Sequence, residues 1–396
     1  MYFQKGFGLG ALVAPALLRT YASPVVERLR QGGFTAAAGD LRLTLAREFG
    51  FCYGVDRAVE YAYETRERFP DRRIFLCGEI VHNPDVNARL QEMGITILSG
   101  SNDPAIRHAE IGADDVVILP AFGVTVPQMA DLTARRCVLV DTTCGSVLNV
   151  WKKVRQHARN GFTVVIHGKH YHEETRATVS QALTESGAHY LCLRDVREAA
   201  VLCAFLRGEL EAADILAQFA HACSPGFDPD RDLQRIGLAN QTTMPTRESL
   251  AVQEMLREAM RHRHGEAALA ERFRAFDTIC SATQDRQDAI HALLDAGGLD
   301  RMLVVGGYNS SNTQALAALC APQVPTFHVR DASCIHPAAI CHRPVGSPTE
   351  ITTCDWLPEG RVTVGLTAGA STPDSVTGEV VERILAVRGY VPADLR

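Results

Sequence analysis

Residues 137–161 read CVLVDTTCGSVLNVWKKVRQHARNG, and this stretch decides the fold. An aliphatic run typical of a buried strand ends in a loop of small polar residues, and an amphipathic pattern of helical period follows. The same unit recurs along the chain, for example in TVVIHGKHYH followed by EETRATVSQALTESG. Strands that alternate with helices predict an α/β fold with parallel sheets built from βαβ units. In such folds the functional residues collect at the carboxyl ends of the strands.

Length, charge and cysteine usage narrow the class of protein. The chain has 396 residues, which predicts two or three subdomains. Its net charge is −6 and it has no Lys/Arg-rich block, so a nucleic-acid partner is not expected. The 12 cysteines lack the dense spacing of secreted modules, which favours a reducing compartment, and we expect a cytoplasmic protein.

The N-terminal stretch KGFGLGALVAPALL is the one segment that resembles an export signal. Its three glycines, its proline and its single basic residue argue against that function. The sequence has no other apolar run near the roughly 20 residues of a membrane helix, so no membrane partner is expected.

Three of the cysteines occur where a strand passes into a helix: Cys52 in GFCYG, Cys144 in DTTCGS and Cys280 in DTICSAT. A helix N-terminus favours the thiolate, so these three are predicted to ligate a metal or to react. A single cysteine at such a position more often has only a structural role. Their separation excludes a zinc ribbon or a sequential ferredoxin motif. They meet only if three βα units converge, and they would then give a cluster three ligands and leave one metal atom open.

Several strand ends also carry donors that suit an anion. GGYNSSNT and TAGASTPD place hydroxyl and amide groups at the starts of helices, where backbone N–H groups point toward a phosphate. The alternative for the serines is N-capping, and for a lone histidine an ordinary core or surface role. Several such ends in one chain favour a phosphorylated ligand. The predicted contacts are His82, Asn83, His172, Ser310, Ser311, Asn312 and Ser371.

Glu174 is the predicted proton donor. Near a diphosphate and away from bulk water, its protonated form is favoured, and it then acts as a general acid. Glu173 is the alternative, and spacing alone does not separate the two. Thr242 in NQTTM is a hydroxyl at another strand end that either orients a substrate hydroxyl, relays a proton or caps a helix.

Eight segments in order, GFCYGVDRAV, IVHNPDV, VDTTCGSV, HEETRAT, NQTTM, DTICSATQDRQDA, GGYNSSNT and TAGASTPD, resemble the 4-hydroxy-3-methylbut-2-enyl diphosphate reductase family. Members are the terminal iron-sulfur enzymes of the methylerythritol phosphate route to isoprenoids. The resemblance runs from about Leu43 to about Leu385. Residues 1–42 and the segment HACSPGFDPDRDLQRIG resemble the longer plant and cyanobacterial branch. No chloroplast transit peptide is apparent, so a bacterial cytoplasmic protein is expected.

This resemblance implies a trefoil of three α/β subdomains around a central cavity. The subdomains are expected at residues 43–143, 144–278 and 279–396, preceded by an extension of residues 1–42. It implies one 4Fe-4S cluster held by Cys52, Cys144 and Cys280, with a fourth iron open to substrate.

The resemblance also implies roles for the polar residues. His82, His172, Ser310, Ser311, Asn312 and Ser371 would hold the diphosphate. Glu174 would supply protons, with Thr242 and Gln241 in the hydroxyl and proton network. The products would be isopentenyl and dimethylallyl diphosphate, and the electron donor a ferredoxin or flavodoxin.

One position departs from the family. Many members have a histidine in AHGV, where this chain has Phe122 in AFGV. His170 and Lys169 are the candidates to replace it, although both are equally consistent with a solvated loop.

Two other classes of protein stay open from the residues alone. A non-redox diphosphate enzyme would not need the three cysteines together, and an iron-sulfur redox sensor would not need Glu174 or the anion sites. The presence of both sets favours the reductase.

Overall fold

The structure is a computed structural model that describes residues 1–98 and 110–396. Its strands are short, as expected for βαβ units. In chain order they are β1 (Tyr2–Phe3), β2 (Thr35–Ala38), β3 (Leu41–Leu45), β4 (Ile74–Leu76), β5 (Ile95–Ile97), β6 (Val116–Leu119), β7 (Val138–Asp141), β8 (Thr163–His167), β9 (Tyr190–Leu193), β10 (Ile236–Asn240), β11 (Phe273–Ala275), β12 (Arg301–Val305), β13 (Thr326–Val329), β14 (Ala339–His342), β15 (Ile351–Cys354) and β16 (Val362–Ala368).

Helices follow most of these strands. In chain order the described α-helices are α1 (Gly10–Tyr21), α2 (Pro24–Gln31), α3 (Tyr53–Arg68), α4 (Pro84–Glu92), α5 (Val126–Ala134), α6 (Gly145–Arg159), α7 (Glu173–Ala182), α8 (Val196–Leu206), α9 (Ala212–Phe219), α10 (Pro229–Asp232), α11 (Thr246–His264), α12 (Leu269–Arg272), α13 (Ser281–Asp295), α14 (Ser311–Cys320) and α15 (Asp374–Val387). Within the described ranges, every helix is too short or too polar to cross a bilayer.

The chain forms two compact units. Unit 1 comprises Met1–Tyr2 and Ser101–Cys280, and unit 2 comprises Phe3–Gly100 and Ser281–Arg396.

Unit 2 contains a five-stranded sheet of order β13-β12-β16-β3-β2. Its strands are parallel except for β2, which runs antiparallel to β3. The register pairs Val305 with Ala368 and Leu366 with Leu45, so β12, β16 and β3 end close together. The loops that follow these three strands therefore share one edge of the sheet. Unit 2 also contains the parallel pair β4–β5 and the antiparallel hairpin β14–β15.

Unit 1 contains a parallel four-stranded sheet of order β11-β10-β8-β9 and the parallel pair β6–β7. Every residue of β6, β8 and β10 is buried. This is the pattern of parallel strands covered on both faces by helices. Asn240 of β10 pairs with His167 of β8, so the loops after these two strands begin side by side.

The α/β fold with mainly parallel sheets is thereby confirmed. The trefoil arrangement and the division at residues 43–143, 144–278 and 279–396 stay predictions.

Candidate active site

In unit 2, Cys52 lies in a loop that is fixed to the neighbouring strand end. The Gly50 N–H donates to the Ala368 carbonyl at 3.1 Å, and the Cys52 N–H donates to the Ala370 carbonyl at 3.2 Å. Gly50 has φ +76°, a left-handed conformation that favours glycine. The Cys52 backbone is extended and helix α3 begins at the next residue. The thiol therefore lies at a helix N-terminus, as predicted from the sequence.

Arg286 supports this loop from α13, and the sequence analysis did not identify it. Its side chain is buried, and Nη2 donates to the carbonyls of Gly50 at 2.6 Å and Phe51 at 3.1 Å. The guanidinium thus fixes the backbone of the Cys52 loop through two hydrogen bonds. The residue occurs in the quoted segment DTICSATQDRQDA, but a charged residue on a helix gives no sequence signal that it is buried.

The loop after β12 carries the predicted anion contacts. Ser310 caps α14, and its Oγ accepts hydrogen bonds from the Thr313 N–H and Oγ1. Asn312 Oδ1 accepts from the Ala370 N–H at 2.9 Å. Its Nδ2 is buried without a hydrogen-bond partner in the described part of the chain. A buried unpaired donor costs about 1–3 kcal/mol, and an anion that accepted its proton would remove that cost.

Ser371 and His82 lie at the same edge of unit 2. Ser371 Oγ is 3.1 Å from the His82 carbonyl oxygen and 3.5 Å from Ser310 Oγ. His82 is buried, and its Nδ1 is 2.9 Å from Glu79 Oε2. Gly307 allows this approach, because a Cβ there would lie 2.6 Å from the His82 carbonyl oxygen. Unit 2 thus brings together four of the predicted contacts, His82, Ser310, Asn312 and Ser371.

The two remaining predicted contacts of unit 2 are buried polar residues at helix starts. Asn83 caps α4, and its Oδ1 accepts from the N–H groups of Asp85 at 3.0 Å and Val86 at 3.2 Å. Ser311 is the first residue of α14 and is also buried. Asn83 is thus an N-cap, a role that the sequence analysis considered only for the serines, and its role toward substrate stays a prediction.

In unit 1, Cys144 is the residue before α6, and its N–H donates to the Ala121 carbonyl at 3.0 Å. The next residue of that neighbouring loop is Phe122, whose ring meets the His172 ring edge to face at a centroid distance of 5.6 Å. Phe122 therefore packs against a residue that is predicted to bind the diphosphate.

Glu174 lies in the first turn of α7 and is 1% exposed, whereas Glu173 is exposed. Its Oε1 accepts from the Thr242 N–H at 2.7 Å, and its Oε2 accepts from Thr242 Oγ1 at 2.9 Å. The Thr242 carbonyl in turn accepts from the Cys280 N–H at 3.3 Å. Burial thus distinguishes Glu174 from Glu173, which their spacing in the sequence could not do. Through Thr242, a chain of hydrogen bonds connects Glu174 to the Cys280 backbone.

The orientation of His172 follows from its backbone contact. Its Nδ1 accepts a hydrogen bond from the Glu174 N–H at 3.2 Å, so Nδ1 carries no proton. In the neutral ring the proton is then on Nε2, which is a donor suited to a phosphate oxygen.

Gln241 fixes the loop between β8 and α7. Its Oε1 accepts from the Lys169 N–H at 3.0 Å and from Thr175 Oγ1 at 3.1 Å, and its Nε2 donates to Thr243 Oγ1 at 2.8 Å. The loop leaves no room for a side chain at Gly168, whose Cβ would lie 2.8 Å from that of Gln241. Gln241 therefore positions the loop that carries His172 and Glu174, and its predicted contact with substrate stays a prediction.

His170 and Lys169 belong to this loop. The His170 ring contacts the rings of Tyr171 and His221, with centroid distances of 5.2 and 4.6 Å. That either residue replaces the family histidine stays a prediction.

The cysteines differ in burial and in their position along the helices. Burial raises the pKa of Cys203 to about 11 and that of Cys320 to about 12, so these thiols stay protonated. Cys52, Cys144 and Cys280 are partly exposed and each directly precedes a helix. Cysteine thiolates are the usual ligands of iron-sulfur clusters. Three such thiols fit the donor set that a cluster with three protein ligands requires.

Comparison with known proteins places the chain in a family. The family model described as LytB protein matches residues 43–385. The chain is 42% identical over 394 residues to the 4-hydroxy-3-methylbut-2-enyl diphosphate reductase of Cyanothece sp., covering 99% of this chain and 96% of that relative. It is 44% identical over 392 residues to the enzyme of the same name from Thermosynechococcus vestitus, covering 98% and 95%.

Solved structures give the same result for the fold. A structure described as (E)-4-hydroxy-3-methyl-but-2-enyl diphosphate reductase, the terminal enzyme of the non-mevalonate pathway, has a TM-score of 0.51 and 25% identity, covering 86% of this chain and 98% of that one. The diphosphate reductase structure from Plasmodium falciparum has a TM-score of 0.64 and 20% identity, covering 88% of each chain, and shows likeness of fold. The family match covers most of the sequence and has the limits expected from its motifs, so this chain belongs to the LytB protein family.

Proposed function

We propose that this protein reduces 4-hydroxy-3-methylbut-2-enyl diphosphate to isopentenyl and dimethylallyl diphosphate, using a 4Fe-4S cluster held by Cys52, Cys144 and Cys280. The allylic C–O bond breaks, a C–H bond forms, and two electrons and two protons are consumed while the hydroxyl leaves as water. Family membership and relatives of this name at 42% and 44% identity support the reaction.

The observation that carries the proposal is the environment of Glu174. Its carboxyl group is almost fully buried, and Thr242 holds both of its oxygens. Hydroxide is a poor leaving group, so the substrate oxygen must be protonated as it departs. Glu174 supplies that proton, and the Thr242 hydroxyl, which is hydrogen-bonded to it, either orients the substrate hydroxyl or passes the proton on.

The remaining predicted contacts bind the diphosphate. The Nε2–H of His172 donates to its oxygens, as do the hydroxyls of Ser310 and Ser371 and the Nδ2 of Asn312, which has no partner among the described residues. Charge-assisted hydrogen bonds contribute about 1.5–3 kcal/mol each, so a few of them fix the substrate at one end. When bound, a 4Fe-4S cluster supplies electrons one at a time and a Lewis-acidic iron.

Electrons require a partner, and we expect a ferredoxin or flavodoxin. The cysteine usage fits a reducing compartment, so the cytoplasm is the proposed location.

The test is turnover by anaerobically purified, cluster-loaded protein with a reduced viologen as donor and chromatographic detection of both products. The triple variant Cys52→Ser, Cys144→Ser, Cys280→Ser is compared with Cys354→Ser, since Cys354 is exposed in the β14–β15 hairpin. We expect loss of iron and of turnover in the triple variant and retention of both in the control.

Either alternative class has its own outcome. Turnover of the diphosphate that survives in the triple variant and consumes no reduced viologen would identify a non-redox diphosphate enzyme. A full cluster without turnover would identify an iron-sulfur redox protein.

A further inference from the structure

Unit 1 contains a cavity of about 240 Å³ beside α7 that the proposed reaction does not use. Its polar lining consists of His170, Arg176 and His221 together with the hydroxyl-bearing residues Thr125, Ser180 and Tyr190. Val179 in α7 and Leu183, the residue directly after that helix, contribute apolar surface. The cavity thus combines hydrogen-bond donors with an apolar wall, as small-molecule sites do.

The charge of the lining is positive. No carboxylate is among its lining residues, all of which lie in the described part of the chain. Arg176 is exposed, and its guanidinium forms no ion pair or hydrogen bond with the described residues. The rings of His170 and His221 pack edge to face at a centroid distance of 4.6 Å. An arginine and two imidazoles, without a competing carboxylate, are suited to an anion.

The titratable surroundings of His170 set the pH response. Burial and the neighbouring His221 lower the pKa of His170, while Glu198 raises it and Arg194 lowers it. Arg194 and Glu198 form an ion pair at 3.4 Å, so their effects on the imidazole largely offset. At neutral pH the His170 imidazole is therefore mostly uncharged, and a bound anion would draw a proton onto it.

We propose that this cavity is a second binding site, separate from the substrate site, for a small molecule that carries a diphosphate and a short apolar chain. A volume of 240 Å³ corresponds to about eight water molecules at roughly 30 Å³ each, enough for a diphosphate with a short chain but not for a long prenyl tail. Arg176, His170 and His221 bind the anion, and Val179 and Leu183 contact the chain.

The site is connected to the residues of the proposed reaction. Arg176 and Ser180 lie on α7, whose first turn carries Glu174. His170 lies in the loop that Gln241 fixes through the Lys169 N–H. A ligand in the cavity therefore contacts both elements that position Glu174 and His172. That the ligand is a product of this chain, acting as a feedback inhibitor, rests on the proposed function.

The binding test uses the full chain carrying Ser310→Ala and Asn312→Asp, which weakens anion binding at the substrate site. Inorganic diphosphate, dimethylallyl diphosphate and dimethylallyl alcohol are titrated by calorimetry. We expect one saturable site for dimethylallyl diphosphate, with affinity reduced at least tenfold by Arg176→Ala and by His221→Ala. Arg257→Ala is the matched control, because Arg257 is also an exposed helical arginine.

The three ligands distinguish the source of the affinity. Tighter binding of dimethylallyl diphosphate than of inorganic diphosphate, with no binding of the alcohol, supports the proposal as stated. Equal binding of the two diphosphates would overturn the role of the apolar wall. No residual site, or a site unaffected by Arg176→Ala and His221→Ala, would overturn the proposal entirely.

Two further measurements complete the test. The affinity for dimethylallyl diphosphate should rise severalfold from pH 8 to pH 6. This rise should be lost in the double variant His170→Asn, His221→Asn. In turnover assays without added product, Arg176→Ala should keep the wild-type rate. Added dimethylallyl diphosphate should inhibit the wild type in a way that is not competitive with substrate, and this inhibition should be lost in Arg176→Ala. If the wild type shows no turnover, the proposed function fails, whereas the calorimetric result for the cavity still stands.

Discussion

The polar groups at the strand ends differ between the two units. In unit 1, Thr242 occupies both oxygens of Glu174. The Gln241 side chain makes three hydrogen bonds, two to residues that follow β8 and one to Thr243. In unit 2, Asn312 uses its oxygen but leaves a buried Nδ2 without a partner in the described residues. The groups proposed to move protons are thus fixed by the fold, while a group proposed to bind the substrate still has a donor to offer.

This difference has a physical reason. A proton donor must hold one geometry before the substrate arrives, because a misplaced acid loses most of its rate advantage. An anion site needs donors whose hydrogen bonds are completed by the ligand, so that binding removes the cost of an unpaired group. Substitutions in the two sets should therefore affect different kinetic constants.

The largest effect is expected for Glu174→Gln. The amide keeps the size of the side chain but cannot deliver a proton, so kcat should fall about 10²- to 10⁴-fold with little change in KM. Steady-state kinetics with a reduced viologen measure both constants. Glu173→Gln is the matched control at an exposed position, and an equal loss there would refute the assignment of the acid.

Asn312→Asp should raise KM rather than lower kcat. The new carboxylate keeps the acceptor for the Ala370 N–H but replaces the free donor with a negative charge. We expect KM to rise about 10- to 100-fold, the equivalent of one charge-assisted hydrogen bond. A change confined to kcat would show that Asn312 does not contact the diphosphate. Thermal unfolding serves as the control, because the retained hydrogen bond should keep the melting temperature near that of the wild type.

Gln241→Ala tests whether the Gln241 side chain holds the loop between β8 and α7 in place. The substitution removes the hydrogen bonds of Gln241 to the Lys169 N–H and to Thr175 Oγ1, so kcat should fall about tenfold. In Gln241→Glu, kcat should fall less. The pH profile of kcat should shift in Gln241→Ala, because Glu174 loses its fixed surroundings. Loss of stability with an unchanged pH profile would indicate a structural role alone.

The smallest effect concerns the pH dependence of stability. Burial lowers the pKa of His157 and His167 in unit 1 to about 4, as it does that of His328 in unit 2. The unfolded chain binds these protons near pH 6.5, so this contribution to the free energy of unfolding is fully present above pH 6.5 and is lost as the pH falls toward 4.

In His157→Phe, the free energy of unfolding measured with urea should therefore fall less between pH 6.5 and pH 4 than it does in the wild type. His262→Phe on an exposed position of α11 should leave that curve unchanged. A wild-type stability that does not fall in this window would contradict the buried neutral state of these histidines.

The sequence determined the parts of this protein that depend on local order. Alternating strand and helix patterns predict the α/β class, and the strand-to-helix positions of Cys52 and Cys144 follow from them because a parallel strand must pass into its helix there. The family motifs predicted the limits of the match, about residues 43–385, and the structure and comparisons confirmed both the class and the family.

Only the tertiary structure decided what depends on neighbours distant in sequence. It buried Glu174 rather than Glu173, and it placed Arg286 against a loop more than 230 residues away in sequence. It also let the Gln241 side chain, after one strand, hydrogen-bond to the loop after the neighbouring strand. It also placed the Phe122 ring against His172 and left Asn312 Nδ2 without a partner in the part of the chain that the structure describes. Strand order and register bring these residues together, and no local pattern of side chains encodes either.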